Sequence, residues 1–329
     1  MKDWKWLGAA CRCVATLTCV QLCMASMQWE SIAAGDEVGR EDTTTTAACL
    51  ADAVEAQDAQ AIEAALRTAQ DVNEAQADGT TALHWAVLRD DLSLTKRLLE
   101  AGADPSLTND YGVPPLAVAC INGNDAIARE LLSAGGDPHV RLAGKESILM
   151  LAARTGRMAT VETLLEQGVD VNALEQRWQT AIMWAAAEGH TAVVERLIEA
   201  GADYQTPLDS GFTPLFFAVR EGRTQTALAL LKQGLDVNAT MTSPKRQRGP
   251  NPLLLAVANG HFETAVALLD AGADANAQPT GHGALHAISW VRKPLRGDGD
   301  PAPVGSGNVS SLELVRKLVA HGADVNLRV

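Results

Sequence analysis

Apolar and polar residues alternate along residues 180–203, TAIMWAAAEGHTAVVERLIEAGAD, in a way that predicts two short helices. Thr180 stands where a hydroxyl can accept a backbone N–H at a helix start, and Ile182, Ala185 and Ala186 give the first segment one apolar side. Gly189 supplies a left-handed residue to end it. Val193, Val194, Leu197 and Ile198 then recur at helical spacing, with Glu195, Arg196 and Glu199 opposite, until Gly201 closes the second segment. Neither segment has enough apolar surface to stand alone, so the pair requires neighbours on both sides.

The chain supplies them by repetition. Steps of 33 residues relate Leu50, Leu83, Leu116, Leu149, Ile182 and Leu215, and the same step relates Gly102, Gly135, Gly168, Gly201 and Gly234. An aspartate two residues after that glycine position recurs as Asp71, Asp104, Asp137, Asp170, Asp203, Asp236, Asp274 and Asp324, which marks eight units.

Helix starts read TALH from Thr81, PPLA from Pro114, TAIM from Thr180, TPLF from Thr213 and NPLL from Asn251. Turns read GADP from Gly102, GVDVN from Gly168, GLDVN from Gly234, GADAN from Gly272 and GADVN from Gly322. In these motifs and in its period the chain resembles the ankyrin repeat family over roughly residues 48–329. The resemblance implies an all-α solenoid of stacked helix-turn-helix repeats with projecting hairpin turns, and a non-catalytic scaffold that holds a protein partner on its concave face.

The remaining segments follow in order. Lys2, Lys5 and Arg12 precede a mostly apolar run, Cys13 to Met27, too short for a membrane span of about 20 residues. A signal peptide over 1–25, cleaved after Ala25, fits this pattern and predicts an exported protein, periplasmic or secreted. An anchor retained in or lipidated at the membrane is the alternative, although Leu22 stands where a small residue should precede Cys23. Residues 26–47 have little to bury and read as a flexible polar spacer. Leu50 to Asn73 forms a degenerate first unit, with Ala69 at the turn glycine position, and suits an amino-terminal cap. After Asn238 the period stretches, and a basic insertion near 242–248 falls where the family places its hairpin. It is either a solvated loop or a contact for an acidic partner. A Gly/Pro-rich loop at 292–309 separates the two helices of the last unit; its Arg296, Gly297 and Asp298 spell an adhesion tripeptide, read here as accidental.

Composition narrows the function. The chain is 47% hydrophobic with 4% aromatic residues, and its net charge is -13 with a pI near 5.0. Such a balance disfavours nucleic acid, because phosphate binding needs a basic face. Two cysteines lie outside the expected signal, Cys49 and Cys120, two repeats apart and so roughly 20 Å at about 10 Å per packed helix pair, beyond disulfide reach. Cys120 shares the small core position of Ala153 and Ala186. His84 and His286 fall on the histidine of the family's TPLH motif, which implies a local structural role; His190 and His261 follow the inter-helix glycine. One acid per turn is better explained by bonding to turn amides than by a carboxylate ladder. No cofactor or metal is expected, and the chain is read as a monomer.

Function therefore falls to the surface. Mapped from the family, partner-binding positions are Tyr111, Lys145, Arg177, Trp178 and Phe212 at the tips, with Leu88, Ile121, Arg154 and Arg220 at the ends of first helices. Tyr111, Trp178 and Phe212 suggest an anchor cluster, since the chain has only two tyrosines and four phenylalanines. Trp178 replaces the glycine found at that tip as Gly79, Gly112 and Gly211, and either folds over its own hairpin or meets a partner. Trp85, Trp184 and Phe217 share a helix position beside the core and read as packing residues. A regulatory or inhibitory subunit of an exported enzyme is a second reading, and an enzyme with an unrecognised site a third.

Overall fold

In the computed structural model, residues 49–68, 71–242, 249–291 and 305–327 are described, all within the second of two units, 48–329. The expected signal and spacer, Ala69, most of the basic insertion, and residues 296–298 lie outside them.

Sixteen helices are present among the described residues, in eight pairs. They are α1 (Leu50–Glu55), α2 (Ala59–Arg67), α3 (Ala82–Leu88), α4 (Leu92–Glu100), α5 (Pro115–Asn122), α6 (Asp125–Ser133), α7 (Ile148–Thr155) and α8 (Met158–Glu166). The second half comprises α9 (Ala181–Glu188), α10 (Thr191–Glu199), α11 (Pro214–Arg220), α12 (Thr224–Lys232), α13 (Pro252–Ala258), α14 (Phe262–Asp270), α15 (Ala284–Val291) and α16 (Ser311–Ala320). The only β-structure among the described residues is two isolated bridges, Ala75 with Thr81 and Arg141 with Ser147, at the bases of two hairpins.

Each first helix packs on its own second helix and on the first helices before and after it. Every extended helix contact lies within a repeat or between adjacent repeats, so the core is a row of shared interfaces rather than one central cluster. Burial explains the division of labour. In α5, Pro115 through Cys120 are all buried, whereas α6 buries only Ile127, Ala128 and Leu131 and turns its charged side outward. A helix apolar all round must be enclosed, and one with a stripe can form the outer layer. The small residues of the first helices, Ala119, Cys120, Ala152, Ala153, Ala185 and Ala186, are fully buried and let neighbouring helices approach. Cys120 and Cys49 are free thiols, and burial pushes the Cys120 thiol up to about 12, so it is an inert packing residue.

Turn chemistry repeats with the same regularity. The carboxylates of Asp71, Asp104, Asp137, Asp170, Asp203, Asp236, Asp274 and Asp324 each accept the backbone N–H two residues on, at 2.8–3.0 Å. These acids are used locally, as expected of turn residues. The asparagine that follows reaches further. Asn172 accepts from the Asp203 amide at 2.7 Å and donates to the Gly201 carbonyl at 3.1 Å, binding one turn to the next. Asn73, Asn238 and Asn276 make the same pair of bonds to the following turn. This ladder was not anticipated from the sequence.

One expectation at a helix start is corrected. Thr180 occupies the N-cap of α9, but its buried hydroxyl has no hydrogen-bond partner. The complete motif at Thr81 shows why. There the hydroxyl meets His84 Nδ1 at 2.8 Å, and His84 Nε2 meets the Val113 carbonyl of the next repeat at 2.9 Å. Met183 takes the histidine position beside Thr180, removing that partner. The last repeat shows the converse: Gly283 replaces the threonine, and the buried Nδ1 of His286 is left without a bond.

Candidate functional site

The hairpins of the second to sixth repeats are tight turns built the same way. In the third repeat, Asn109 donates its N–H to the Val113 carbonyl, and Gly112 donates to the Asn109 carbonyl at 2.8 Å. The equivalent bonds run from Leu142 to Glu146 and Lys145 to Leu142, and from Glu175 to Gln179 and Trp178 to Glu175. The fourth residue of this turn must adopt a left-handed backbone. Gly79, Gly112, Gly211 and Gly281 do so without cost, but Lys145 and Trp178 stand there with φ of 64° and 66°. For a side chain that bulky the conformation is strained by about 1–2 kcal/mol.

Of the tip residues, Tyr111 is 53% exposed and Trp178 is 63% exposed, and Lys145 and Arg177 are exposed as well. The Trp178 indole thus stands in solvent rather than folding over its hairpin. Leu174, on the same hairpin as Trp178, is 43% exposed and was not singled out from the sequence. Ala173 before it and Glu175 after it are buried, a register that the residue types alone do not mark.

Phe212 behaves differently from the other two aromatics. Its ring is half-buried against Phe217 at 5.1 Å and Phe216 at 6.3 Å, and the Arg220 guanidinium lies over it at 5.2 Å. The three aromatics are therefore two exposed tips and one packed ring rather than one cluster.

At the helix ends, Leu88 and Ile121 are half-buried. Arg154 lies over the Trp184 ring at 5.7 Å and pairs with Glu188 at 3.7 Å; burial lowers the proton affinity of its guanidinium. Arg220 pairs with Glu221 at 2.8 Å while covering Phe217. Arg89 repeats the theme over Trp85, whose indole N–H donates to Gln76 at 2.8 Å. Trp85 and Phe217 are buried, so this row combines packed rings with a cation over each.

The seventh repeat is partly covered by the chain itself. Ser306 donates its N–H to His261 Nδ1 at 3.0 Å, while His261 Nε2 meets the Arg220 carbonyl at 2.8 Å. Gly305 lies so close to Gly260 that a Cβ would collide with the Gly260 carbonyl oxygen. The end of the long loop thus lies along the inter-helix turns of the sixth and seventh repeats. His190, one of the pair read as following that turn glycine, likewise bonds the Arg154 carbonyl of the preceding repeat at 2.8 Å.

Among the described residues no group of three or more His, Cys, Asp or Glu side chains could hold a metal ion, and no helix is long and apolar enough to cross a membrane. A stack of interchangeable helix pairs that presents side chains on rigid tips is a repeat scaffold. Residues 50–142 and 149–241 match the family described as ankyrin repeats (3 copies), and residues 248–279 match the single ankyrin repeat. The chain belongs to the ankyrin repeat family. It is similar to the crystal structure of the human ASB11 ankyrin repeat domain, with a TM-score of 0.59 and 24% identity over 69% of this chain and 99% of that one. At that identity the likeness establishes the fold. No curated protein matches the chain. Ankyrin repeats are protein–protein interaction scaffolds, and the family is typically non-catalytic.

Proposed function

We propose that this chain binds a protein partner on the face formed by its hairpin tips and first-helix ends, without chemistry of its own. One observation carries the reading: Trp178 holds a large apolar side chain in solvent from a backbone position that is glycine at Gly79, Gly112, Gly211 and Gly281. Strain and exposure are both costs, and a partner that buries the indole would offset them. Tyr111 is the second anchor, from the tip two repeats earlier. Tryptophan and tyrosine are the residue types that most often dominate binding energy at interfaces.

The test is recovery of partners on the immobilised chain, repeated with Trp178→Ala and Tyr111→Ala. Loss of the same partner from both variants supports the reading. A partner recovered equally by wild type and both variants contradicts it. The reading extends to export, supported by the cations before the apolar run Cys13 to Met27. Mass spectrometry of the mature protein should then find an amino terminus near Ser26, and a retained Met1 would contradict cleavage.

A further inference from the structure

The tips of the fourth and fifth repeats are built as one surface. Gln176 donates its N–H to the Gly144 carbonyl at 3.0 Å and its side-chain amide to the Ala143 carbonyl at 3.2 Å. The Arg141 guanidinium donates to the carbonyls of Lys145 and Leu174, each at 3.0 Å, so it bridges the two hairpins. Both strained non-glycine tips, Lys145 and Trp178, belong to this joined pair. Leu174 and Trp178 are its exposed apolar side chains, and Arg141 and Lys145 are its exposed cations.

Two cations of this patch stand outside ion pairs among the described residues. Arg154, Arg220 and Arg223 are each paired with Glu188 or Glu221, but neither Arg141 nor Lys145 forms an ion pair among the described residues. Of the acids of the same two hairpins, one is enclosed and the other, half-buried, lies on the turn itself. Glu175 is buried and accepts the Gln179 amide at 3.0 Å, and the Glu146 carboxylate lies against Gly144. Tyr111, Leu174 and Trp178 are exposed on the tips, whereas the loop end at Gly305 and Ser306 lies on the inter-helix turns of the sixth and seventh repeats.

We infer that this joined pair of tips takes an extended acidic segment of a partner protein, with an apolar side chain against Leu174 and Trp178 and a carboxylate at Lys145 and Arg141. The inference rests on the tip-face reading above and names the class of partner for it. Adjacent repeats are about 10 Å apart, which an extended chain spans in about three residues, so the apolar residue and the acid should be about three positions apart. The net charge of -13 favours a basic partner at long range, but that field is screened beyond about 8 Å in physiological salt, leaving the patch to decide at contact.

The probe is a library of displayed random 12-residue peptides selected on the immobilised full chain, with the most enriched peptide then synthesised and measured by fluorescence anisotropy. The expected sequences pair an apolar residue with Asp or Glu about three positions away. Binding should weaken by about tenfold or more with Lys145→Glu or Trp178→Ala, and by a smaller factor with Lys145→Gln. Replacing the peptide's acid by its amide should weaken it similarly, while Lys96→Glu on the outer α4 should change nothing. Enriched peptides that lack acids, yet lose binding with Trp178→Ala, overturn the partner class and leave the tip face standing. Peptides indifferent to Tyr111, Lys145 and Trp178 variants overturn both. A library with no enrichment overturns the extended segment and leaves the tips to a folded partner.

Discussion

At the scale of single residues, the exceptions to the repeat carry the information. Trp178→Gly should stabilise the chain by about 1 kcal/mol by relieving the left-handed strain, while reducing partner recovery; urea denaturation measures the first and binding the second. Equal stability of the two forms would mean that the backbone is not strained there. Met183→His should restore the missing partner of the Thr180 hydroxyl and reach toward the next hairpin as His84 does, adding about 1 kcal/mol in the same measurement. The buried imidazoles give a pH dependence with a defined sign. Burial lowers the pKa of His84 and of His261 more than their carbonyl partners, Val113 and Arg220, raise it. The unfolded chain therefore binds protons more readily, and stability should fall as pH drops below the ordinary histidine value near 6.5, until the folded-state values are passed. His84→Gln with His261→Gln should flatten that acid slope. The local role of His84 was legible from its motif, whereas the orphaned Thr180 was not, because a capping residue can be read from one position and its satisfaction depends on another.

At the scale of elements, sequence periodicity revealed the helix pairs because burial enforces it: a slipped repeat would turn the apolar side of Val193, Val194 and Leu197 to solvent. It did not reveal the bonds between repeats. The asparagine of GLDVN at Asn238 reads as a turn residue, yet it accepts from the Asp274 amide and donates to the Gly272 carbonyl, 36 and 34 residues away. Asn238→Ala should cost about 1–2 kcal/mol, concentrated at the junction of the sixth and seventh repeats, where amide exchange in α14 should quicken first. A uniform change across all helices would contradict a local tie. Hairpin tips were legible as positions and partly misread as a group. Phe212 is held by Phe216, Phe217 and Arg220, a contact set that follows from neighbouring helix residues and could not be inferred from tip register alone.

At the scale of the whole repeat array, each interface lends neighbouring pairs the apolar contacts they lack, so stability is distributed while recognition is concentrated on a few projecting side chains. The second helices keep their charges outward, as with Lys96 and Glu130 or Arg97 and Glu63, and such exposed ion pairs contribute little and define no anchor. The hairpins of the third to fifth repeats offer exposed Tyr111, Leu174 and Trp178 instead. The most direct measurement is a hydrogen-exchange footprint of the chain with and without the partner that Trp178 retains. Slowed exchange across residues 109–113, 142–146 and 175–179, with α4, α6, α8 and α10 unchanged, is the predicted result. Protection confined to those second helices would place the partner on the opposite side and contradict the account.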